Sequence, residues 1–171
     1  MTATVATRSP GETVQVGRRL AALLRPGDLV VLTGPLGAGK TALTRGIGEG
    51  LGVRGAVTSP TFVLAREHPP DPARGGRVPL VHADAYRLRG PDGALPDLDA
   101  LEDLDLSAAL EESVVVVEWG DGLAEALGQD HLTVRLARPE GTAGDEGDRT
   151  LHVGGHGARW EGTDLEAALR G

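Results

Sequence analysis

Apolar residues along this chain follow two periods. Val16, Leu20, Leu23 and Leu24 recur at helical spacing behind Ser9-Pro-Gly-Glu12. That tetrad puts Ser9 at an N-cap, Pro10 in the first turn and Glu12 three positions on. Arg25-Pro-Gly-Asp28 then stops the helix. Leu29–Thr33 and Val114–Val117 are instead short, unbroken apolar runs, which predict strands covered on both faces. Thr41 to about Leu51 predicts a second helix. Thr61–Ala65 and Pro79–Ala83 predict two more strands, separated by a mobile loop rich in Pro, Gly and Arg from His68 to Arg77.

Later segments are weaker. Residues 91 to 112 are acidic, with leucines at 98, 101, 104, 106 and 110. They predict short helices with one apolar face and one solvated acidic face. Asp130–Arg138 and Arg149–Val153 predict a late pair of strands joined by a loop over 139–148, and Thr163–Arg170 a terminal helix. Strands that alternate with helices early and pair in a meander late predict an α/β fold. Its sheet is mostly parallel at the centre, with antiparallel strands at the edge and helices flanking it.

Length and composition set the bounds. At 171 residues the chain has the size of one domain. Residues 1–8 are expected to be a flexible N-terminus and 154–171 a variable tail. A net charge of −8 argues against a broad basic face for nucleic acid, so any RNA contact would need a local arginine patch or a partner protein. With no cysteine there is no disulfide and no thiolate metal site. No stretch has the apolar core of a signal peptide or the length of a membrane span, so a cytoplasmic protein is expected.

Of the 17 basic residues, Lys40 alone is lysine; every other one is arginine. It lies in Gly34-Pro-Leu-Gly-Ala-Gly-Lys-Thr41, which matches the P-loop pattern. The predicted strand and helix on either side give the motif its structural context. Such a loop binds phosphates through inward-pointing N–H groups at a helix N-terminus. Lys40 is placed to reach the β/γ-phosphates, and the Thr41 hydroxyl to coordinate Mg²⁺. A nucleoside triphosphate with Mg²⁺ is the ligand this implies.

A magnesium site of this kind needs a carboxylate at the end of a neighbouring strand. Glu118 follows the four valines, and Asp84 ends the Pro79–Ala83 strand. Spacing leaves open which of them meets the metal and which orients the attacking water. Thr58-Ser-Pro-Thr61 offers hydroxyls for the γ-phosphate, or else a polar turn set by Pro60. Of the four aromatics, Phe62, Tyr86 and Trp119 adjoin these segments; Trp160 does not. Phe62 suits core packing, and Trp119 suits a wall of the site.

Several P-loop classes are excluded. Guanine readout through Asn/Thr-Lys-x-Asp has no second lysine and no asparagine to use, and no Asp-x-x-Gly occurs. The serine-glycine-glycine signature of ABC-type ATPases is absent; Leu127-Gly-Gln comes after the acidic strand. A small-molecule kinase and a nucleotide-switched binding module stay open.

Four motifs then stand in order: Gly34–Thr41, Ser59-Pro-Thr-Phe62, His82-Ala-Asp-Ala-Tyr-Arg87 and Val117-Glu-Trp119. Together they resemble the TsaE (YjeE) family, the ATPase component of the bacterial machinery that makes threonylcarbamoyladenosine in tRNA. The resemblance runs from about residue 9 to 153. It implies a P-loop NTPase fold with Leu36, Gly37, Ala38, Gly39, Lys40 and Thr41 around the ATP phosphates. It also implies Mg²⁺ on Thr41 and Glu118, Asp84 as a carboxylate needed for hydrolysis alongside Lys40 and Glu118, and Ser59–Phe62 as a switch-like segment. Implied partners are TsaD and TsaB, with tRNA reached through that pair, which would let an acidic protein serve an RNA pathway. Pro35 stands where the family usually has Asp, removing one N–H from the cradle.

Overall fold

The computed structural model describes residues 1–59, 65–85, 105–119, 122, 127–138 and 148–170. The chain opens with strand β1 (Thr2–Thr7) and helix α1 (Pro10–Ala21). Strand β2 (Leu29–Thr33), helix α2 (Lys40–Leu51), and strands β3 (Ala65–His68) and β4 (Leu80–Asp84) follow. Helix α3 (Leu106–Glu112), strands β5 (Val114–Glu118), β6 (His131–Ala137) and β7 (Arg149–His156), and helix α4 (Leu165–Arg170) complete it. The sheet order is β1-β7-β6-β2-β5-β4-β3. Strands β6, β2, β5 and β4 run parallel, while β3 closes one edge and β7 with β1 the other, all antiparallel. This is the expected mostly parallel α/β sheet with antiparallel edges.

Both faces of the parallel strands are covered, as their unbroken apolar runs require. Val30, Leu32, Val114 and Val116 pack with Leu20, Leu43 and Ile47 of α1 and α2. Leu29, Val31, Val115 and Val117 pack on the other face with Leu106 of α3. Ser9 caps α1 as expected: its Oγ accepts from the Glu12 N–H at 3.2 Å, and Glu12 Oε2 accepts from the Arg8 N–H at 2.8 Å.

Helix α2 carries the P-loop and contains Gly46, Gly48 and Gly50, all poor helix formers. Close packing on α1 explains at least two of them. A Cβ on Gly46 would lie 2.1 Å from the Val14 carbonyl oxygen, and one on Gly50 would lie 2.5 Å from Ala21 Cβ. The Gly46→Ala variant is therefore expected to be destabilised by about 1–3 kcal/mol through overpacking, although alanine favours a helix by about 1 kcal/mol over glycine. A thermal melt checks this; a rise in Tm would show that the helices can part freely.

Two expectations need correction. The N-terminus is not a free tail: Thr2–Thr7 pairs along β7 from Thr2↔Gly154 to Thr7↔Arg149. The segment from His68 to Arg77 is not a mobile loop, because His68 ends β3 and Asp71 organises the rest. The Asp71 carboxylate accepts from the Ala73 N–H, its carbonyl accepts from Gly76, and its own N–H donates to the Gly52 carbonyl at 2.8 Å. Gly52, left-handed at the end of α2, turns that carbonyl outward. The strand expected over Thr61–Ala65 meets the observed one only at Ala65, since residues 60–64 lie outside the described set. The expected helices before Leu106 and, Asp148 apart, the loop expected over 139–148 also lie outside it.

Among the described residues, no helix is long and apolar enough to cross a membrane.

Candidate nucleotide-binding site

Three parallel strands end side by side, and their C-terminal ends carry the candidate residues. The loop after β2 turns through left-handed glycines, Gly34 (φ 138°), Gly37 (φ 74°) and Gly39 (φ 103°), before α2 begins at Lys40. Side chains are tolerated poorly there. At Gly34 a Cβ would also strike the Leu136 carbonyl oxygen at 2.3 Å. Glu118 ends β5 beside β2, paired with Leu32 on one side and Asp84 on the other. The two-residue alternation of strands puts Glu118 on the face of Val114 and Val116, toward α2. Asp84 lies on the same face by the same count along β4.

A cavity of about 410 Å³ joins Leu36, Gly37, Gly39, Lys40 and Thr41 with Asp84, Glu118 and Trp119. Ligand sites typically span roughly 300–1,000 Å³. Thr58 and Ser59 also line it, whereas Pro60, Thr61, Phe62 and Tyr86 lie outside the described residues. Ala38, within the loop, is fully buried and does not line the cavity. Trp160 lies in the main core, away from the site.

Lys40 is buried within this cradle. Its Nζ donates to the carbonyl oxygens of Gly34 (2.8 Å) and Pro35 (3.1 Å) and sits 4.0 Å from the centre of a Trp119 ring. Pro35 thus contributes its carbonyl to the loop, a role that needs no N–H. Burial pushes the Lys40 ammonium below its ordinary pKa, against the opposing pull of the Glu118 and Asp84 carboxylates. Trp119 takes a left-handed backbone (φ 61°), and its N–H donates to Leu32 at 2.8 Å, tying the end of β5 back to β2.

Thr41 Oγ1 donates to Glu118 Oε1 at 3.2 Å. A hydroxyl whose proton is taken by a carboxylate turns its lone pairs elsewhere, which suits coordination of a hard cation. Among the described residues no group of three His, Cys, Asp or Glu could form a metal cage by itself. A hydroxyl and a carboxylate leave positions for phosphate and water, the usual arrangement for Mg²⁺. The donor set fits.

Other residues at the site were not singled out in the sequence. His82 Nε2 lies 2.9 Å from Glu118 Oε1, both side chains being buried. Arg149, at the start of β7, is buried and lines the cavity, packed on Gly39 where a Cβ would be 3.4 Å from its Nε. Pro10 and Arg45 line it too. The His82 contact is readable from the period of β4 once its neighbour is known to be β5. Arg149 carries no local signal, because it arrives through an antiparallel edge strand.

A glycine-rich loop between a buried strand and a helix, with carboxylates ending the adjacent parallel strands, defines a P-loop α/β protein of the nucleotide-binding class. A family model described as "Threonylcarbamoyl adenosine biosynthesis protein TsaE" matches residues 7–146. A TsaE protein of Streptomyces coelicolor is 58% identical over 88% of this chain and 95% of its own length. The TsaE protein of Bacillus subtilis is 36% identical over 91% of this chain and 87% of its own length. A crystal structure of Bacillus subtilis YdiB superposes with a TM-score of 0.71 at 30% identity, covering 99% of this chain and 95% of that one. The chain belongs to the TsaE family of tRNA threonylcarbamoyladenosine biosynthesis.

Proposed function

We propose that this protein is a Mg²⁺-dependent ATPase that acts with TsaD and TsaB in threonylcarbamoyladenosine modification of tRNA in the cytoplasm. The observation that carries this reading is the convergence of Lys40, Thr41, Asp84 and Glu118 on one cavity at the ends of adjoining strands. The P-loop N–H groups from Leu36 to Thr41 bind the phosphates, and Lys40 leaves its carbonyl partners to neutralise the β/γ region. Thr41 and Glu118 would hold Mg²⁺, whose charge would offset that on the phosphate oxygens. Asp84 accepts a hydrogen bond from the water that attacks the γ-phosphorus, orienting it opposite the departing ADP oxygen. Trp119 walls the site beside the Lys40 ammonium.

The test is phosphate release by the purified chain with ATP and Mg²⁺, alone and with TsaD, TsaB and tRNA. Release that depends on these partners is expected, together with loss of tRNA threonylcarbamoylation when the chain is omitted over repeated turnovers. Transfer of the γ-phosphate to a small acceptor would make the protein a kinase instead. Nucleotide-dependent association without any turnover would make it a switched binding module.

A further inference from the structure

His82 is completely buried in the middle of β4, and it does not reach the cavity that Asp84 and Glu118 line. Deep in the sheet its neighbours on this face are Leu80 on its own strand and Val114 and Val116 on β5, with Arg66 directly across on the edge strand β3. Packing alone would favour a leucine or valine there. The imidazole instead brings Nε2 to 2.9 Å from Glu118 Oε1, while its Nδ1 is buried with no hydrogen-bond partner among the described residues. An unsatisfied buried nitrogen is a standing cost that an apolar residue would avoid. A carboxylate only accepts, so Nε2 is the donor.

The same oxygen of Glu118 takes the Thr41 hydroxyl at 3.2 Å. From this geometry we infer that His82 is a positioning residue for the magnesium site, acting from beneath through Glu118. Donors from two directions fix the carboxylate's torsion. His82 anchors it to the sheet, and Thr41 ties it to the first turn of α2. When the Thr41 oxygen turns to a cation, the histidine is the contact that keeps the carboxylate in place. This inference rests on the ATP-and-magnesium reading of the site. It adds to that reading a residue that touches neither nucleotide nor metal.

The experiment compares His82→Leu, His82→Gln and His82→Asn with the parent. A fluorescent ATP analogue is titrated at a series of Mg²⁺ concentrations. A partner behind a metal-holding carboxylate typically changes metal affinity about 10–100-fold. The leucine variant is therefore expected to need about 10–100-fold more Mg²⁺ for half-maximal binding, with unchanged affinity for the analogue in EDTA. Glutamine places its amide nitrogen near Nε2 and should recover most of the loss, whereas asparagine places its own near Nδ1 and should not. A purely structural role would not separate these two amides.

An unaltered Mg²⁺ requirement in the leucine variant overturns the inference, as does an equal shift in glutamine and asparagine. If the leucine variant fails to fold by circular dichroism, the glutamine–asparagine pair decides. A parent that binds the analogue with Mg²⁺ while the histidine variants match it sinks only this role. A parent that binds no nucleotide sinks the ATPase reading together with it.

Discussion

Replacing Lys40 by methionine is expected to leave the nucleotide-free protein at least as stable as the parent, while removing its response to ATP. The ammonium has two carbonyl acceptors and an aromatic face, yet burial still lowers its pKa from 10.5. The folded protein therefore holds that proton less tightly than the unfolded chain does. The charge subtracts stability at every pH below the lowered folded value. That deficit shrinks as pH rises from this value to 10.5, where the unfolded chain also begins to lose its proton. Methionine keeps the length of the side chain and discards the charge. The melting temperature without nucleotide should lie within about 2 °C of the parent or above it.

Nucleotide reverses the balance. Phosphate oxygens would add anionic partners to the pull that Glu118 and Asp84 already exert, so on the proposed function binding and turnover should depend on the residue that the empty fold holds at a cost. ATP at a hundred times its Kd adds about 2.7 kcal/mol to the parent's stability, or about 5–10 °C for a chain of this size. The methionine variant should show no such shift, and phosphate release should fall by roughly 10²–10³-fold or more. A variant that melts far below the parent yet still shifts with ATP would remove Lys40 from the phosphate site.

The second large effect is expected at Asp84. Asparagine keeps its shape and removes its charge. Asp84 shares the cavity with Glu118 and lies directly across from it, paired along β4 and β5. If its carboxylate orients the attacking water, kcat should fall by about 10²–10³-fold. ATP affinity should change only a few-fold, and in the direction of tighter binding, because one negative charge near the phosphates is gone. Steady-state phosphate release with kcat and KM resolved separately provides the check. An unchanged kcat would take Asp84 out of the chemistry.

Much of this site is legible in the amino-acid sequence. The segment from Leu29 to Leu51 is local: an unbroken apolar strand, glycines where the backbone must turn left-handed, then a helix. Glu118 is legible for a related reason, since four valines followed by a carboxylate can only put that carboxylate at a strand end. The capping pair of Ser9 and Glu12 is equally local, lying within four residues of itself. Where local pattern misleads, the cause is distant pairing. Nothing in Thr2–Thr7 announces a strand, because its hydrogen bonds go to a segment about 150 residues later in the chain. The run after His68 has the composition of a loop and is held in place by Gly52 and Arg54 at the end of α2.

His82 illustrates the boundary between the two kinds of information. It stands two residues before Asp84 in a motif plain in the sequence, yet that motif attaches no function to it. Its meaning depends on β5 lying alongside β4 in a parallel register that brings Nε2 to Glu118. Local sequence suffices for the family, the glycine-rich loop with its lysine, and the placing of two carboxylates at strand ends. These rest on contacts between near neighbours and on the period of single elements. Tertiary packing is needed for strand order, the docking of both edges, the tie of Thr41 and His82 to a single carboxylate oxygen, and the arrival of Arg149 beside Gly39. Those depend on which strand becomes whose neighbour, and that choice is made by burial across the whole sheet rather than by any one segment.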